Sequence, residues 1–364
     1  MKPPLAGIKI ADFSRVLAGP YATMLLADLG AEVVKVERPT TGDDTRSWGP
    51  PFDKDGTATY FLSVNRNKSG LTLDLSKPAD QKIAQELIAS SDVVVENFGS
   101  GVMERFNLGY EQVVVSNPLL IYCSITGFGS SESAKALPGY DLLLQGVSGL
   151  MSITGADSND PTKVGVALVD VITGLHAVTG ILTALRVAEQ QGVGQKVELN
   201  LLSSSLSALV NQASAYISAG VIPVAMGNAH PSIAPYQVFS GSDKKFVLAI
   251  GNDQQFIKFA NAVSPELATD ARFSTNQLRV KNLGDLTQIL DHLFATKSAA
   301  HWIELLGKIE IPVGAINNIK EAIELATSLG LDPVVDIAGS KSIANPITFS
   351  KTPVTYSKAP PKLS

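Results

Sequence analysis

Thiols and imidazoles are nearly missing from this sequence. Its 364 residues hold one cysteine, Cys123, and four histidines. A lone thiol closes no internal disulfide and builds no multi-thiolate metal site, so a reducing, cytoplasmic setting is expected and metal chemistry is poorly supplied. Excess positive charge is missing too. The 29 Lys and Arg stand against 34 Asp and Glu, a formal net charge of -5, and nothing argues for nucleic acid as a partner. Long hydrophobic runs are equally scarce. The best imitation lies between Glu198 and Asp243, where no Asp, Glu, Lys or Arg occurs. That stretch, LLSSSLSALVNQASAYISAGVIPVAM, is studded with Ser, Asn and Gln, whereas a bilayer-spanning helix needs about 20 predominantly apolar residues. A helix buried against protein, such as another subunit, fits better, and no membrane partner is expected. The opening MKPPLAGIKIADF lacks the unbroken apolar core of a signal peptide.

Familiar chemical signatures are absent as well. The sequence has no G-x-x-x-x-G-K for nucleotide phosphates, no G-x-G-x-x-G after its first strand, no H-E-x-x-H and no C-x-x-C. Gly146-Val147-Ser148-Gly149 misses the nucleophile elbow G-x-S-x-G by one position and reads as a turn. An ordinary nicotinamide-binding domain is therefore disfavoured.

What is present is an alternation of short Val- and Ile-rich runs with helical ones. Ile8 to Phe13, Glu32 to Glu37, Asp92 to Glu96, Leu119 to Ile125 and Val164 to Val169 read as strands buried on both faces of a parallel sheet. Pro20 to Leu29 starts with a proline suited to a first helical turn, and Lys77 to Ser90 has amphipathic spacing. From Asp170 a helical run reaches Gln191, followed by a strand-like KVELNLL. These elements predict an α/β fold, a doubly wound, Rossmann-like large domain over residues 1–220. A proline-rich connector, VIPVAMGNAHPSIAP, opens a smaller α+β domain over 221–330, and 331–364 is a Pro- and Ser-rich segment returning over the large domain.

Open α/β sheets bind ligands beyond the carboxyl ends of their strands. Arg38, Arg66, Lys68, Asn97, Phe98 and Arg105 follow or adjoin such ends. Cations beside an aromatic ring suit an anionic ligand with a flat base, such as a phosphorylated adenine nucleotide, while each cation taken singly reads more readily as solvated surface. Asp170 lies at the junction of an apolar run and a long apolar helix. One reading is an N-cap, worth about 1 kcal/mol. The other is an anionic nucleophile, since a free Asp with pKa near ~3.9 is ionised at neutral pH without help from a base. His176 is rotated roughly 240° around the helix from Asp170 and reads as a packing residue.

Assembled, the blocks LAGIKIADFSRVLAGPYATMLLADLGAEVVKVERP, GDDTRSWGPPF, NRNKSGLTLDL, SDVVVENFGSGVMERFNLGY, PGYDLLLQGVSGLM and VGVALVDVITGLHAVTGILTALR strongly resemble the family III CoA-transferases, which also include acyl-CoA racemases. The resemblance implies that Asp170 is the catalytic nucleophile. It implies that Arg38, Lys68, Leu73, Asn97, Phe98 and Arg105 surround the CoA nucleotide, that Tyr140 belongs to the catalytic site, and that backbone N–H groups near Leu17, between Arg15 and Gly19, face an oxyanion. CoA and acyl-CoA are then substrates, no permanently bound cofactor is expected, and two chains interlock into a homodimer whose partner covers the uncharged stretch. The racemase branch has Gly-His-Asp where this chain has Gly139-Tyr140-Asp141, and phenol is a poor base at neutral pH, with a pKa near ~10. Asp253 lies where racemases carry a glutamate, so epimerisation stays an alternative, behind transfer and ahead of a non-catalytic CoA-binding protein. Leu17 replaces a glutamine of the formyl-CoA and oxalate branch, and the connector lacks that branch's glycine loop. Oxalate is thus a less expected acceptor, and the G-N-x-H-P connector looks more like members handling succinyl-CoA and dicarboxylic or hydroxy acids.

Overall fold

The structure is a computed structural model and describes residues 1–363. Its chain divides into two compact units. Residues 1–151, 163–222 and 330–363 form the first, and 152–162 with 223–329 the second.

The first unit is built on six parallel strands: β1 (Lys9–Asp12), β2 (Glu32–Glu37), β3 (Lys68–Thr72), β4 (Val93–Glu96), β5 (Ile121–Thr126) and β6 (Gln195–Asn200). They lie in the order β3-β2-β1-β4-β5-β6. Successive side chains point to opposite faces of a strand, and here both faces are apolar. Ile10, Val93, Val95, Ile121, Cys123 and Ile125 pack with the helices Ala18–Asp28 and Leu168–Gln191. Ala11, Val94 and Tyr122 face the other way, onto Ala84 and Ile88 of the helix Pro78–Ala89. Helices on both faces make this the doubly wound arrangement expected from the alternation.

Three expectations need correction. Val164–Val169 is no strand: residues 164–167 form a loop, and the long helix already starts at Leu168. The edge beyond β5 belongs to β6, and the backbone N–H groups of Val164 and Val169 are taken by the side chains of Gln145 and Asp141. Conversely, Lys68–Thr72 is a strand that its Lys, Ser and Gly conceal; it pairs with β2 over five residues. The uncharged stretch is two helices, Leu201–Ala208 and Val210–Ala219, and no residue of the second is buried within this chain. Among the described residues one helix, Leu168–Gln191, is long and apolar enough to cross a membrane by length and composition, yet it supplies Val169, Ala177, Ile181, Ala184 and Leu185 to the core.

Residues 330–363 bring a hairpin, Val334–Ile337 with Ser340–Ile343, and an extended tail. Asn67 and Thr355 tie that tail down, Asn67 through the backbone of Thr355, Ser357 and Lys358 and Thr355 through its N–H to Asp28. The second unit has a three-stranded antiparallel sheet, β7 (Tyr236–Ser240), β8 (Lys245–Ala249) and β9 (Val313–Ala315), and an aromatic core of Phe239, Phe246, Phe256, Phe259, Phe294 and Trp302. Inside it Arg279, fully buried, pairs with Asp253 at 2.7 Å.

Candidate active site

Strand order reverses between β1 and β4, the switch point at which the crevice of a doubly wound sheet opens. β1 runs into Ser14, Arg15 and Val16, and β4 runs into Asn97 and Phe98. The Asn97 side chain joins the two, accepting from the Arg15 N–H at 2.7 Å and donating to the Arg15 carbonyl at 2.7 Å.

The β1 loop is held from beneath by buried charges. Asp12 accepts from Lys68 Nζ at 3.0 Å and from the Thr23 hydroxyl at 2.6 Å, while Lys35 Nζ donates to the Ser14 carbonyl and to Asp43 at 2.9 Å each. Asp43 in turn accepts from the N–H of Val16, whose φ is +67°, a left-handed conformation that a β-branched residue adopts only when held. Burial pulls the Lys68 ammonium down to about 8, partly opposed by Asp12. Burial would raise Asp12, but Lys68 and Lys35 overrule it and hold the carboxyl below its ordinary value.

Two cavities flank this loop. One, of about 250 Å³, is lined by Arg15, Val16, Asn97, the turn after β5, Tyr140 and Asp170. The other, of about 220 Å³, is lined by Phe13, Arg15, Arg38, Leu73, Leu75 and Phe98, and most of its exposed lining is apolar. Arg15 and Phe98 belong to both, with the guanidinium carbon 4.9 Å from the ring centroid.

Asp170 occupies the third position of its helix, whose N-cap is Ala167. Alanine offers no capping oxygen, and Asp141 supplies it from another helix. One Asp141 oxygen accepts from the N–H groups of Val169 at 2.8 Å and Asp170 at 3.1 Å, the bonds an N-cap side chain would make. Asp141 reaches there because Gly127 and Gly139 cross backbone to backbone; a Cβ on Gly139 would sit 2.3 Å from the Gly127 Cα. Asp170 is thus released from the capping role. Burial, then the Asp141 charge, pushes its carboxyl up to about 7. This corrects the expectation of an ordinary, fully ionised aspartate: the group titrates near neutrality. Burial and the charges of Asp170, Asp141 and Asp43 push the neighbouring Tyr60 phenol up to about 12.

The remaining sequence candidates fall into place or outside it. Tyr140, 65% exposed, lines the Asp170 cavity and stands at the N-cap position of the helix Asp141–Val147. Arg38 and Leu73 meet Phe98 in the second cavity. Leu17 is the buried N-cap of the Ala18–Asp28 helix, packed with Met24 and Val64, and its neighbours Val16 and Ala18 line the Asp170 cavity. Helix-initial N–H groups there lack intrahelical acceptors, as an oxyanion contact requires. Lys68 lines neither cavity: its Nζ is spent on Asp12, Asn65 and the Pro20 carbonyl. Arg66 is also structural, buried in a two-bond pair with Asp28. Arg105, exposed at the end of the turn Val102–Arg105, lines neither cavity. His176 bonds Ser204 at 3.1 Å, a packing role. Asp253 is engaged by Arg279 and by the Asn276 N–H, so it is not a free base. Sequence reasoning missed Asp141, Asp43 and the Arg15 side chain; a cation three residues beyond the end of β1 was the available signal for Arg15. No group of three His, Cys, Asp or Glu side chains that could hold a metal comes together among the described residues.

The switch point of the parallel sheet thus brings together Arg15, Asn97 and Phe98 and, in the same cavity, a carboxylate in the first turn of a long helix. The family model for CoA-transferase family III matches residues 5–364, and the chain belongs to that family. It is 42% identical to the succinyl-CoA:glutarate CoA-transferase of Mus musculus, over 99% of this chain and 84% of that one. It is 39% identical to the succinate–glutarate CoA-transferase of Agrobacterium fabrum, over 100% and 93%. A crystal structure of a CAIB/BAIF family protein from Brucella suis superposes with a TM-score of 0.89 at 40% identity, covering 100% of this chain and 97% of that one.

Proposed function

We propose that this enzyme moves CoA from succinyl-CoA to a dicarboxylic acid such as glutarate, with Asp170 as the carboxylate that exchanges. The observation that supports it most is the placement of Asp170: half-buried in a cavity at the sheet's carboxyl edge, freed from capping by Asp141, and pushed up to about 7. Desolvation strips a carboxylate of the water that blunts its attack, and a pKa near neutrality leaves a useful ionised fraction.

The steps balance without an added oxidant or reductant. The Asp170 carboxylate attacks the thioester carbonyl and the C–S bond breaks, leaving an aspartyl mixed anhydride and CoA thiolate. The thiolate attacks the aspartyl carbonyl, releasing succinate and forming an aspartyl-CoA thioester. An acceptor carboxylate attacks that thioester, giving a new anhydride and thiolate, and the thiolate takes the acceptor acyl group and frees Asp170. The CoA nucleotide is assigned to the cavity of Arg38, Leu73 and Phe98, where a flat base stacks on an aromatic ring. Oxyanions form at each addition, and the backbone N–H groups starting the Ala18–Asp28 helix are assigned to them.

Racemisation needs a base on each side of the α-carbon, and neither Tyr140 nor the ion-paired Asp253 offers one. The exposed apolar side chains of the uncharged stretch, Val210 at 70%, Ile217 at 79% and Ile222 at 75%, support a second copy as their cover; light scattering at twice the 38.3 kDa chain mass checks that dimer. The activity test is a mass-spectrometric screen of succinyl-CoA, acetyl-CoA and formyl-CoA against dicarboxylic and hydroxy acids, using wild-type enzyme and Asp170→Ala. Transfer from succinyl-CoA that vanishes in the variant is expected. Exchange of an α-proton for deuterium with no transfer to any acid would overturn the reading.

A further inference from the structure

We infer that Arg15 reads the acid: its guanidinium binds the carboxylate at the far end of a dicarboxylic substrate while the near carboxyl reacts at Asp170. The inference rests on the transfer reading above and adds to it the group that selects the acid. Arg15 lines the cavity that Asp170 lines. Its backbone is fixed by both bonds to Asn97, and the next residue is fixed by Asp43, so the side chain projects from a rigid base.

Its charge is incompletely matched. The one ion pair of Arg15, to Asp44 at 3.4 Å, is long, and Asp44 is simultaneously held by Arg38. Its Nε is buried and has no hydrogen-bond partner, the sole buried side-chain nitrogen or oxygen in that condition among the described residues. An unpaired buried N–H is costly and leaves this guanidinium under-satisfied, while the side chain, 36% exposed, still presents N–H groups that a ligand carboxylate can reach. The planar guanidinium fork matches a carboxylate with two parallel bonds, which an ammonium cannot do. Lys135, the other cation lining this cavity, is paired with Glu132 on an exposed loop. Arg38 lies in the neighbouring cavity instead.

The experiment compares wild type, Arg15→Gln and Arg15→Lys. Calorimetry measures CoA binding, then glutarate binding to the CoA-saturated enzyme, and steady-state assays give KM for glutarate and for butyrate. The expected result for Arg15→Gln is glutarate affinity at least tenfold weaker and a matching rise in its KM, with the KM for butyrate raised no more than twofold; CoA binding is measured alongside because Arg15 also lines the nucleotide cavity. Arg15→Lys falls between, retaining the charge without the fork, and it guards against a folding defect in the first variant. Equal losses for both acids, unchanged glutarate binding, or no glutarate binding in wild type would each overturn the inference. Arg15-dependent glutarate binding by an enzyme that transfers no CoA would instead retire the transfer reading and leave this one standing.

Discussion

Asp170 shows how far one residue's chemistry depends on its neighbours. Its sequence position left two readings open, cap or nucleophile, and the choice turns on Asp141, which lies nearly thirty residues away in the chain and takes the capping bonds itself. The same Asp141 charge adds to burial in holding the Asp170 carboxyl at about 7. Because attack needs the ionised form, kcat/KM for the thioester is expected to rise with pH through about 7 and then level off. Replacing Asp141 with Asn removes a repelling charge, so the Asp170 carboxyl loses protons more readily and the rising limb moves to lower pH. A profile flat from about pH 5 to 8 would contradict this assignment. Asp170 was singled out from an expected strand-to-helix junction and the family blocks; the structure has a loop and then the helix there, with Asp170 in its first turn. Lys68 was not, because sequence does not say whether a lysine beside a turn is solvated or closed over an aspartate. Its partner Asp12 sits on another strand, and only the fold brings them within 3.0 Å.

At the scale of elements, the site depends on two helices approaching closely at the sheet's carboxyl edge. Ala18–Asp28 follows the β1 loop and Leu168–Gln191 begins with Asp170, and Gly174 lets them meet: a Cβ there would lie 2.8 Å from the Ala18 carbonyl oxygen. Gly174→Val therefore has to push backbone, and it is expected to destabilise the enzyme by about 1–3 kcal/mol, read as a lower denaturation midpoint. An unchanged midpoint would mean that the contact is looser than this geometry. Element types were largely readable where apolar periodicity was strong. Glu32–Glu37 coincides with β2, and the helix over 78–89 sits inside its expected range. The misreadings have local physical causes. Val164–Val169 has the β-branched alternation of a strand, but side chains from the Asp141–Val147 helix claim its N–H groups. β3 is rich in weak strand formers and holds its place at the sheet edge with Lys68 closed over Asp12.

For the molecule as a whole, scarce Cys and His, a nearly balanced charge and a parallel sheet form one account. Acyl exchange on a carboxylate draws on none of the missing residue types. The proposed site lies where strand order reverses, with Arg15 after β1 and Asn97 after β4 locked to each other and Asp170 in the adjoining cavity. Alternating runs and family blocks made the sheet legible in the sequence. The buried pairs Lys68–Asp12, Lys35–Asp43 and Arg66–Asp28 were not, since each joins segments distant in the chain or hides a charge in the core. The central claim is that Asp170 becomes covalently attached to CoA during turnover. The most direct measurement is to mix enzyme with succinyl-CoA without acceptor, quench in acid, digest, and weigh the peptide containing Asp170. The account predicts a CoA adduct on that peptide, converted to a hydroxamate by hydroxylamine and missing in Asp170→Ala. An unmodified Asp170 peptide in an enzyme that transfers CoA, or transfer undiminished in Asp170→Ala, would contradict it.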